Sequence, residues 1–410
     1  MKQNDRGGRR LVELNICDFG STGRLIRDLS TALNEKEWET RCAFGRYKDP
    51  SHKPGDIIIG SGTGVKAHYA HSRLTGRTSF GHAASYNATR RLVAQLKEYS
   101  PDVIHMHNLH GHYLNMPVLF DYLKESGVRT VWTLHDCWAF TGNCGYFEKA
   151  GCDFWKEGCH DCPQRRTTGA KALFVDASAA NWRQKKQLIT ELPPEQLTLV
   201  TPCEWLAGYV RQSFMRDYPL RVIYNGVERS SFKPTDGAAL RAKYGLADRK
   251  ILVGVAAIWD HRKGLWIIEQ LAELLGDGYA VAAIGLTEKQ IAALSPKVIG
   301  IKRTESVEEL AMWYSEAEAF INPTLEDNFP STNIEALSCG TPVVTFRTGG
   351  CPEAIDDACG IVTAEKTAES MRDAILELEK RGITREACIK RSELFDKAGC
   401  AENYRKLFEE

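Results

Sequence analysis

The sequence predicts an α/β protein made of two doubly wound, Rossmann-like domains that face a central cleft. Three observations indicate this class. The chain has 410 residues, which is too long for one ordinary core, so two domains of roughly 200 residues are expected. Short apolar strands alternate with amphipathic helices along the chain, which is typical of parallel sheets. Polar or glycine-bearing turns follow several strands, at the sheet edge where such folds bind ligands.

The predicted elements of the first domain are four strands and one helix. The apolar stretches Arg10–Ile16, Asp102–His107, Arg129–His135 and Leu197–Pro202 are predicted strands, and the amphipathic stretch Arg24–Leu33 is a predicted helix. Residues 1–220 are expected to form this domain, with a cysteine-rich insertion at about 137–165.

The second domain is expected at residues 221–390, opening near the turn signal Asn225-Gly226. Its predicted strands and helices are Lys250–Ala257, Leu265–Leu275, Tyr279–Gly285, Phe320–Pro323, Asn333–Cys339 and Val343–Phe346. Residues 391–410 are expected to form a C-terminal helix that can pack back on the first domain.

Composition and charge argue against several functional classes. The 53 basic residues balance the 53 acidic ones, so no excess of positive charge indicates nucleic-acid binding. No apolar run approaches the roughly 20 residues that a membrane span needs. The polar start Met1–Arg10 leads directly into a strand, which argues against a secretory leader. A cytoplasmic enzyme is therefore expected.

The most informative stretch is Thr324–Leu337, where two carboxylates lie eight residues apart. Asp327 precedes the predicted helix, and Glu335 lies inside its first turns. The strand before and the strand after complete a βαβ unit, which places this loop at the carboxyl end of a parallel sheet, where phosphates and riboses bind. One carboxylate can then meet a sugar ring while the other accepts hydrogen bonds from ribose hydroxyls. Two solvated acids are the alternative interpretation.

This stretch resembles the E-x7-E motif of the retaining family 4 glycosyltransferases, which have the GT-B fold. Asp327 stands where that family usually has its first Glu, and Glu335 matches the second. The variant is similar to the bacterial colanic-acid and exopolysaccharide branch. The resemblance implies transfer of a sugar from a UDP-, GDP- or dTDP-sugar to a saccharide acceptor, expected to be lipid-linked. The pathway would be exopolysaccharide, capsule or O-antigen biosynthesis.

The resemblance also implies a mechanism that needs no metal or other cofactor for catalysis. The second domain would hold the nucleotide sugar and the first domain the acceptor. The acceptor hydroxyl would attack from the front face, and the departing phosphate would take its proton. No Asp-x-Asp ends an apolar strand, which fits stabilisation of the diphosphate by cations and by the helix that begins near Ser331.

A basic turn in Ala256–Leu265 is the second predicted site. Arg262 and Lys263 follow a strand, where two cations suit a departing nucleotide diphosphate. The Lys263-Gly264 pair matches a family element, whereas Ala257 stands where the family usually has an Arg. Arg262 can supply that charge from a different direction. A solvated basic turn is the alternative.

Further candidates follow the strands of the first domain. The loop that carries Gly20 and Gly23 resembles the family's glycine-bearing loop, although it can also be only a tight turn. His135 corresponds to a family His beside the donor sugar, where it can bond a hydroxyl or stabilise the oxocarbenium-like transition state. His107 and Asn108 are predicted acceptor ligands. The H-x-H pattern ending at His107 also permits a metal site, which is disfavoured because no carboxylate or cysteine lies nearby in sequence.

Collected by role, the resemblance predicts three sets of site residues. The catalytic residues are His135, Lys263 and Asp327; the donor-binding residues are Gly20, Gly23, Arg262, Lys263, Ser331, Thr332, Asn333 and Glu335; and the acceptor-binding residues are His107 and Asn108.

A cluster of cysteines follows His135. Cys144, Cys152, Cys159 and Cys162 form the pattern C-x7-C-x6-C-x2-C, in a segment that shows little apolar periodicity. Four thiolates around a tetrahedral zinc ion would order it, and a reducing compartment favours metal over disulfides. Structural zinc, unligated thiols and a disulfide-bearing loop all remain open.

Two other functions and one partner surface complete the expectations. A nucleotide-sugar epimerase or phosphorylase of the same fold stays open, as does a zinc-containing nucleotide- or RNA-binding protein. The phosphorylase is disfavoured because no pyridoxal-binding lysine motif is visible.

Basic residues lie among apolar ones in His68–Lys97, which predicts peripheral contact with anionic lipid at the inner membrane face. A solvated face is the alternative.

Overall fold

A computed structural model describes residues 8–47, 54–78, 80, 82–246 and 248–410. The chain divides into two compact units, one of Met1–Ile223 with Ala401–Glu410 and the other of Tyr224–Cys400. Residues 1–7 of the polar start, on which the expectation of no leader rests, lie outside the described residues. None of the described helices is long and apolar enough to cross a membrane.

The first unit is built on a seven-stranded sheet whose strand pairs are all parallel. Its strands are β1 (Arg9–Cys17), β2 (Trp38–Arg46), β3 (Ile57–Ile58), β4 (Val103–Met106), β5 (Arg129–Thr133), β6 (Leu197–Thr201) and β7 (Leu220–Val222). Its helices are α1 (Gly20–Asn34), α2 (Gly62–Thr75), α3 (Ala83–Tyr99), α4 (Met116–Ser126), α5 (Ser178–Thr190) and α6 (Glu204–Val210). The strand order is β3-β2-β1-β4-β5-β6-β7.

The second unit is built on a six-stranded parallel sheet. Its strands are β8 (Lys250–Val255), β9 (Tyr279–Ile284), β10 (Val298–Ile301), β11 (Ala317–Asn322), β12 (Val343–Phe346) and β13 (Gly360–Thr363). Its helices are α7 (Ala238–Tyr244), α8 (Leu265–Leu275), α9 (Glu288–Ala293), α10 (Val307–Glu316), α11 (Ser331–Ser338), α12 (Ala368–Arg381) and α13 (Arg385–Ser392). The helix α14 (Lys397–Glu409) ends the chain. The strand order is β10-β9-β8-β11-β12-β13.

These strand orders make each unit a doubly wound Rossmann-like domain, as predicted. In each sheet the order reverses beside the first strand, between β1 and β4 and between β8 and β11. Ligands of such sheets bind outside the carboxyl ends of the strands at this reversal. The central strands are apolar because helices cover both faces, as Leu252, Ile321 and Val344 show in the core of the second unit.

The domain boundaries differ from the expected ones in two places. β7 pairs with β6, so residues 220–222 finish the first sheet and do not open the second unit. Only the last part of the C-terminal segment joins the first unit, where the Tyr404 hydroxyl lies 3.0 Å from Thr133 Oγ1 and the Arg129 guanidinium donates to the Leu407 carbonyl. Residues 391–400 stay with the second unit, where Val227 N–H donates to the Phe395 carbonyl.

Candidate active site

The loops after β8 and β11 bring together the two charged residues predicted to act in catalysis. Lys263 Nζ lies 2.5 Å from Asp327 Oδ2, and both side chains are mostly buried. Asp327 Oδ1 accepts a hydrogen bond from the Asn328 backbone N–H at 3.0 Å. The carboxylate therefore holds the ammonium in one place.

The backbone fixes these two loops against each other. Leu325 N–H donates to the Arg262 carbonyl at 2.7 Å. Gly264 has φ +72°, and a Cβ atom at this position would lie 2.3 Å from the Pro323 carbonyl oxygen. Only glycine tolerates both the left-handed conformation and this close approach. Gly264 is thus required where the two loops meet.

Arg262 has a different partner. Its guanidinium binds the Asp260 carboxylate with two nitrogens, Nε at 3.1 Å and Nη2 at 2.9 Å. Asp260 also accepts from the Arg262 backbone N–H and so caps the turn. The pair is half exposed and formally neutral, so Arg262 offers less charge to a phosphate than the sequence indicated. Ala257, the position of the missing family Arg, is exposed.

Glu335 lies in α11 as predicted and is only 8% exposed. Its Oε2 accepts a hydrogen bond from the Tyr314 hydroxyl at 3.0 Å, and its Oε1 accepts one from Ser331 Oγ at 3.0 Å. Burial, followed by the neighbouring Glu335 carboxylate, raises the pKa of Tyr314 well above its ordinary value, so the phenol stays protonated and donates.

The prediction that Asn333 binds the donor is wrong. The side chain is fully buried, and both ends of its amide are used inside the protein. Its oxygen accepts from Asn322 Nδ2 at 2.8 Å, and its Nδ2 donates to the Cys351 carbonyl at 3.3 Å. Asn333 is therefore a structural residue. Ser331 and Thr332, in the first turn of α11, are partly exposed.

In the first unit, the ends of β4 and β5 place two histidines side by side. His107 Nδ1 lies 2.9 Å from His135 Nε2, and the rings are nearly parallel with centroids 5.2 Å apart. Burial lowers the pKa of His135 to about 4 and that of His107 to about 3, so both imidazoles are neutral at pH 7. His135 is partly exposed at the edge of the sheet.

The prediction that His107 binds the acceptor is wrong for its side chain, which is 1% exposed. Both ring nitrogens have protein partners, since Nε2 lies 2.9 Å from Glu13 Oε2. The sequence argument that the H-x-H pattern lacks a carboxylate is also wrong, because β1 supplies Glu13. Ligand atoms of Glu13, His105 and His107 lie within 4.8 Å of one another. Asn108, by contrast, is partly exposed and keeps its place as an acceptor-binding candidate.

The glycine-bearing loop proves to be the first turn of α1. Gly20 begins the helix and is exposed. Gly23 is buried, and a Cβ there would lie 2.4 Å from the Asp18 carbonyl carbon, so the residue is needed for packing. The buried Asn15 side chain links this turn to the next strand end, since its Nδ2 donates to the Cys17 carbonyl and its Oδ1 accepts from Asn108 N–H.

The cysteine-rich insertion lies between β5 and α5. The four predicted ligands, Cys144, Cys152, Cys159 and Cys162, all line one small cavity. All 13 cysteines of the chain are free, so the disulfide interpretation is wrong for this structure.

The insertion has its own apolar core, contrary to the sequence argument that it lacked one. Trp155 is 1% exposed, and its ring stacks on Phe147 with centroids 5.0 Å apart. Phe140 is also fully buried and packs on Trp155. The segment is therefore partly ordered by aromatic packing, and a metal is not its only source of order.

Sequence reasoning missed three residues of these sites: Glu13, Asp260 and Tyr314. Glu13 carried a signal, because a charged residue in the middle of an apolar strand is rarely buried without partners. Asp260 precedes the basic turn in the position of a capping residue. Tyr314 gave no signal, because it lies 21 residues before its partner.

Comparison with known proteins identifies two families along the chain. Residues 22–231 match the family described as Glycosyltransferase Family 4, and residues 249–381 match the family described as Glycosyl transferases group 1. The chain is 24% identical over 310 residues to the putative colanic acid biosynthesis glycosyl transferase WcaC of Escherichia coli, covering 73% of this chain and 72% of that protein. It is 30% identical over 171 residues to a D-inositol 3-phosphate glycosyltransferase of Mycobacteroides abscessus, covering 38% of each chain.

Solved structures resemble the chain over almost its whole length. Sucrose-phosphate synthase (tll1590) from Thermosynechococcus elongatus aligns with a TM-score of 0.70 at 17% identity, covering 98% of this chain and 99% of that one. Anabaena Alr3699/HepE in complex with UDP-glucose aligns with a TM-score of 0.66 at 14% identity and the same coverage. At these identities the likeness shows the fold, and it confirms the predicted GT-B class.

Proposed function

The chain belongs to the family 4, group 1 glycosyltransferases, and from this premise we propose that it transfers a sugar with retention from a nucleotide-sugar donor to a saccharide acceptor. The observation that carries the proposal is the set of charged and polar groups at the carboxyl ends of β8 and β11. A cation, Lys263, and two carboxylates, Asp327 and Glu335, lie there on rigid loops and a helix.

The second unit supplies the groups that a nucleotide diphosphate needs. The Lys263 ammonium would stabilise the charge that grows on the departing phosphate, together with the N–H groups at the start of α11. Arg262 would add positive charge when its guanidinium releases the Asp260 carboxylate and binds a phosphate of the donor. Glu335 would accept hydrogen bonds from the ribose hydroxyls with the carboxylate that Tyr314 and Ser331 hold in place. Asp327 would hold Lys263 and meet the sugar ring.

The first unit would supply His135, whose neutral imidazole would bond a hydroxyl of the transferred sugar. Asn108 and Gly20, the exposed first residue of α1, would line the acceptor or donor at the same sheet edge. No residue of the chain is assigned as a covalent nucleophile. The acceptor hydroxyl would attack the face from which the nucleotide leaves, and the departing phosphate would take its proton. These steps use only charge placement and orientation, so we propose that catalysis is independent of metal.

The comparisons support the class of substrates. WcaC is named for colanic acid biosynthesis, and Alr3699/HepE was solved with UDP-glucose. We propose by analogy a nucleotide-sugar donor and an acceptor, lipid-linked or free, in polysaccharide assembly. An epimerase or phosphorylase of the same fold is the second candidate, but no described feature favours it.

We also propose that Cys144, Cys152, Cys159 and Cys162 hold a structural zinc ion. All four line one cavity, and the Gly142 N–H donates to Cys159 Sγ at 3.1 Å. Burial lowers the pKa of the nearby Lys185 to about 7, and thiolates at Cys159 and Cys144 would raise it and so favour the charged ammonium. Such a cation offsets the negative charge of a four-thiolate site. Among the described residues, only Glu13, His105 and His107 have three possible ligand atoms within 4.8 Å of one another. The sulfurs of the four cysteines do not meet this distance, so binding of zinc would draw them closer together.

Incubation of the purified protein with UDP-, GDP- and dTDP-sugars would test the function. We expect slow hydrolysis of one donor without acceptor and a rise in melting temperature with that donor, since a ligand of the folded state stabilises it. Donor interconversion without transfer or hydrolysis would indicate an epimerase. No stabilisation by any donor and no product would contradict the transferase proposal.

A further inference from the structure

Glu13 lies in the middle of β1, the strand that pairs with β2 on one side and with β4 on the other. Its side chain is 0% exposed. Its Oε2 lies 2.9 Å from His107 Nε2, and His107 Nδ1 lies 2.9 Å from His135 Nε2. Three titratable side chains thus form one line of hydrogen bonds from the interior of the sheet to its edge, where His135 lies.

The surroundings of Glu13 favour the uncharged acid. Among the described residues, its ion-pair contacts within 4.0 Å are to His105 and His107 only, and its Oε1 is buried without a hydrogen-bond partner. A buried carboxylate without a cation and with one oxygen unbonded would be costly. Burial accordingly raises the pKa of Glu13, and the contact with His107, which would favour the carboxylate, opposes this only partly. The proton then lies on Oε2, and Oε1 is an ordinary carbonyl oxygen.

The proton on Glu13 Oε2 determines which nitrogen carries the proton in each of the two imidazoles of the line. Glu13 Oε2–H donates to His107 Nε2, so neutral His107 carries its own proton on Nδ1. That N–H donates to His135 Nε2, so neutral His135 must carry its proton on Nδ1. We infer that Glu13 is a positioning residue that acts through His107 to make His135 an Nδ1–H hydrogen-bond donor.

An ionised Glu13 would reverse the line. It would accept from His107 Nε2–H, His107 Nδ1 would accept from His135 Nε2–H, and His135 Nδ1 would be an acceptor. A metal ion bound by Glu13, His105 and His107 would also take the His107 Nε2 lone pair. The reversed line therefore differs from the proposed one in which nitrogens carry protons. The metal would leave the same nitrogens protonated and would be recognised by the shift of His107 Nε2.

A second branch from Glu13 offers a control. His105 Nδ1 lies 2.9 Å from the same Oε2 but outside hydrogen-bond geometry, and His105 Nε2 lies 2.8 Å from Thr133 Oγ1. Thr133 Oγ1 in turn lies 3.0 Å from the Tyr404 hydroxyl. The side chains of this branch are as deeply buried as His107, but their hydrogen bonds do not reach His135. Thr133→Val removes its hydroxyl with little change of shape.

The tautomer can be measured in the full-length, ligand-free protein by imidazole ¹⁵N NMR with ¹⁵N-labelled histidine. His135→Asn and His107→Asn assign the two rings. We expect a protonated Nδ1 and an unprotonated Nε2 on His135 at pH 7. A protonated Nε2 on His135 would overturn the inference. So would a metal-type shift of His107 Nε2 that a chelator reverses.

Two substitutions of Glu13 sharpen the test. In Glu13→Gln the amide N–H can replace the acid as donor to His107 Nε2, so His135 should keep its proton on Nδ1. In Glu13→Leu the donor is lost, and His135 should become a mixture of tautomers. The Gln amide also has an acceptor oxygen, so the variant supports the inference if the Nδ1 proton is kept. A protonated Nε2 on His135 in both the wild type and Glu13→Gln would overturn the inference, and the wild-type spectrum decides the matter even if neither variant folds.

The consequence for activity rests on the proposed function. If His135 bonds the transferred sugar, Glu13→Leu should lower kcat about tenfold with a smaller change in donor KM, the scale of one lost hydrogen bond in the transition state. Glu13→Gln and Thr133→Val should stay within about twofold of the wild type. Equal loss in Glu13→Leu and Thr133→Val would mean that the effect is general destabilisation and would overturn the positioning role. Absence of transfer by the wild type would contradict the proposed function but not the tautomer measured by NMR.

Discussion

Lys263 and Asp327 form an ion pair at 2.5 Å although 64 residues separate them in the chain. The loops after two neighbouring parallel strands, β8 and β11, bring them together at the reversal of strand order. The cation that we propose to meet a departing diphosphate is thus held in advance by a carboxylate.

The first prediction is that Lys263→Ala lowers kcat/KM about 100-fold, the scale of removing one preorganised group that stabilises transition-state charge. The kcat should fall as well as donor binding, because the charge on the phosphate grows as the bond breaks. Steady-state kinetics with the active donor measures both. Lys302→Ala is the matched control, since Lys302 pairs with Glu288 on the surface of the same unit. A change in KM alone would mean that Lys263 only binds the ground state.

The second prediction is that Asp327→Asn and Lys263→Ala are not additive. If Asp327 acts partly by holding Lys263, the double variant should lose less than the sum of the single losses. The two residues are in direct contact and largely buried, so we expect a coupling of about 1 kcal/mol in the free energy from kcat/KM. A double-mutant cycle measures this coupling. Full additivity would show that Asp327 does not act through Lys263.

The third prediction is that Glu335→Gln weakens donor binding by about 1.5–3 kcal/mol, the usual value of a hydrogen bond to a charged group. The fold should persist, because the substitution creates no cavity and the new amide oxygen can still accept from Tyr314. Calorimetric titration of the nucleotide measures the affinity. Tyr314→Phe, which keeps the carboxylate and removes one of its donors, should cost less. Equal donor affinity in the wild type and Glu335→Gln would refute the ribose assignment.

The fourth prediction is that the purified protein contains about one zinc ion per chain and that Cys159→Ser lowers this content and the melting temperature. Binding of the nucleotide should survive in this variant, since Lys263 and Glu335, which we propose hold it, lie in the other unit. Cys17→Ser, a half-buried cysteine outside the cluster, should keep the metal. Metal-free protein with an unchanged melting temperature would show that the cysteines are ordinary thiols.

Zinc affinity should also rise with pH. Burial raises the pKa of Cys144 to about 12 and that of Cys159 to about 11. Without metal both are therefore protonated at pH 7, and zinc must displace their protons on binding. Competition with a chelator between pH 6 and 8 would measure the trend, and an affinity independent of pH would contradict thiolate ligation.

The fifth prediction concerns peripheral membrane contact, for which the structure narrows the set of basic residues. Arg90, Arg91 and Lys97 are exposed on α3, whereas the Arg77 guanidinium is bound to Gln184 inside the unit. We expect the protein to sediment with anionic vesicles at low salt and to do so less after Arg90→Glu with Arg91→Glu. Lys302→Glu serves as control. Failure of the wild type to sediment would remove the membrane proposal and leave the transferase proposal intact.

The sequence alone determined the fold class and the positions of the main loops. Its apolar strands and their alternation with helices predicted four strands of each sheet, and α8 has the predicted bounds, Leu265–Leu275. The strands β2, β3, β7, β10 and β13 were not predicted. The acid pair was placed correctly, with Asp327 before a helix and Glu335 inside it. Such features depend on periodicity and on residues adjacent in the chain, so local sequence is sufficient to predict them.

Only the tertiary structure decided which partners these side chains meet. Asn333 and Glu335 are two positions apart on one helix, yet Asn333 is bonded within the core while Glu335 meets Tyr314. Glu13 and His107 are 94 residues apart, and their contact exists because β1 and β4 are neighbours in the sheet. A burial pattern shows that a polar residue is inside, but its partner depends on strand order and register, which join segments distant in sequence.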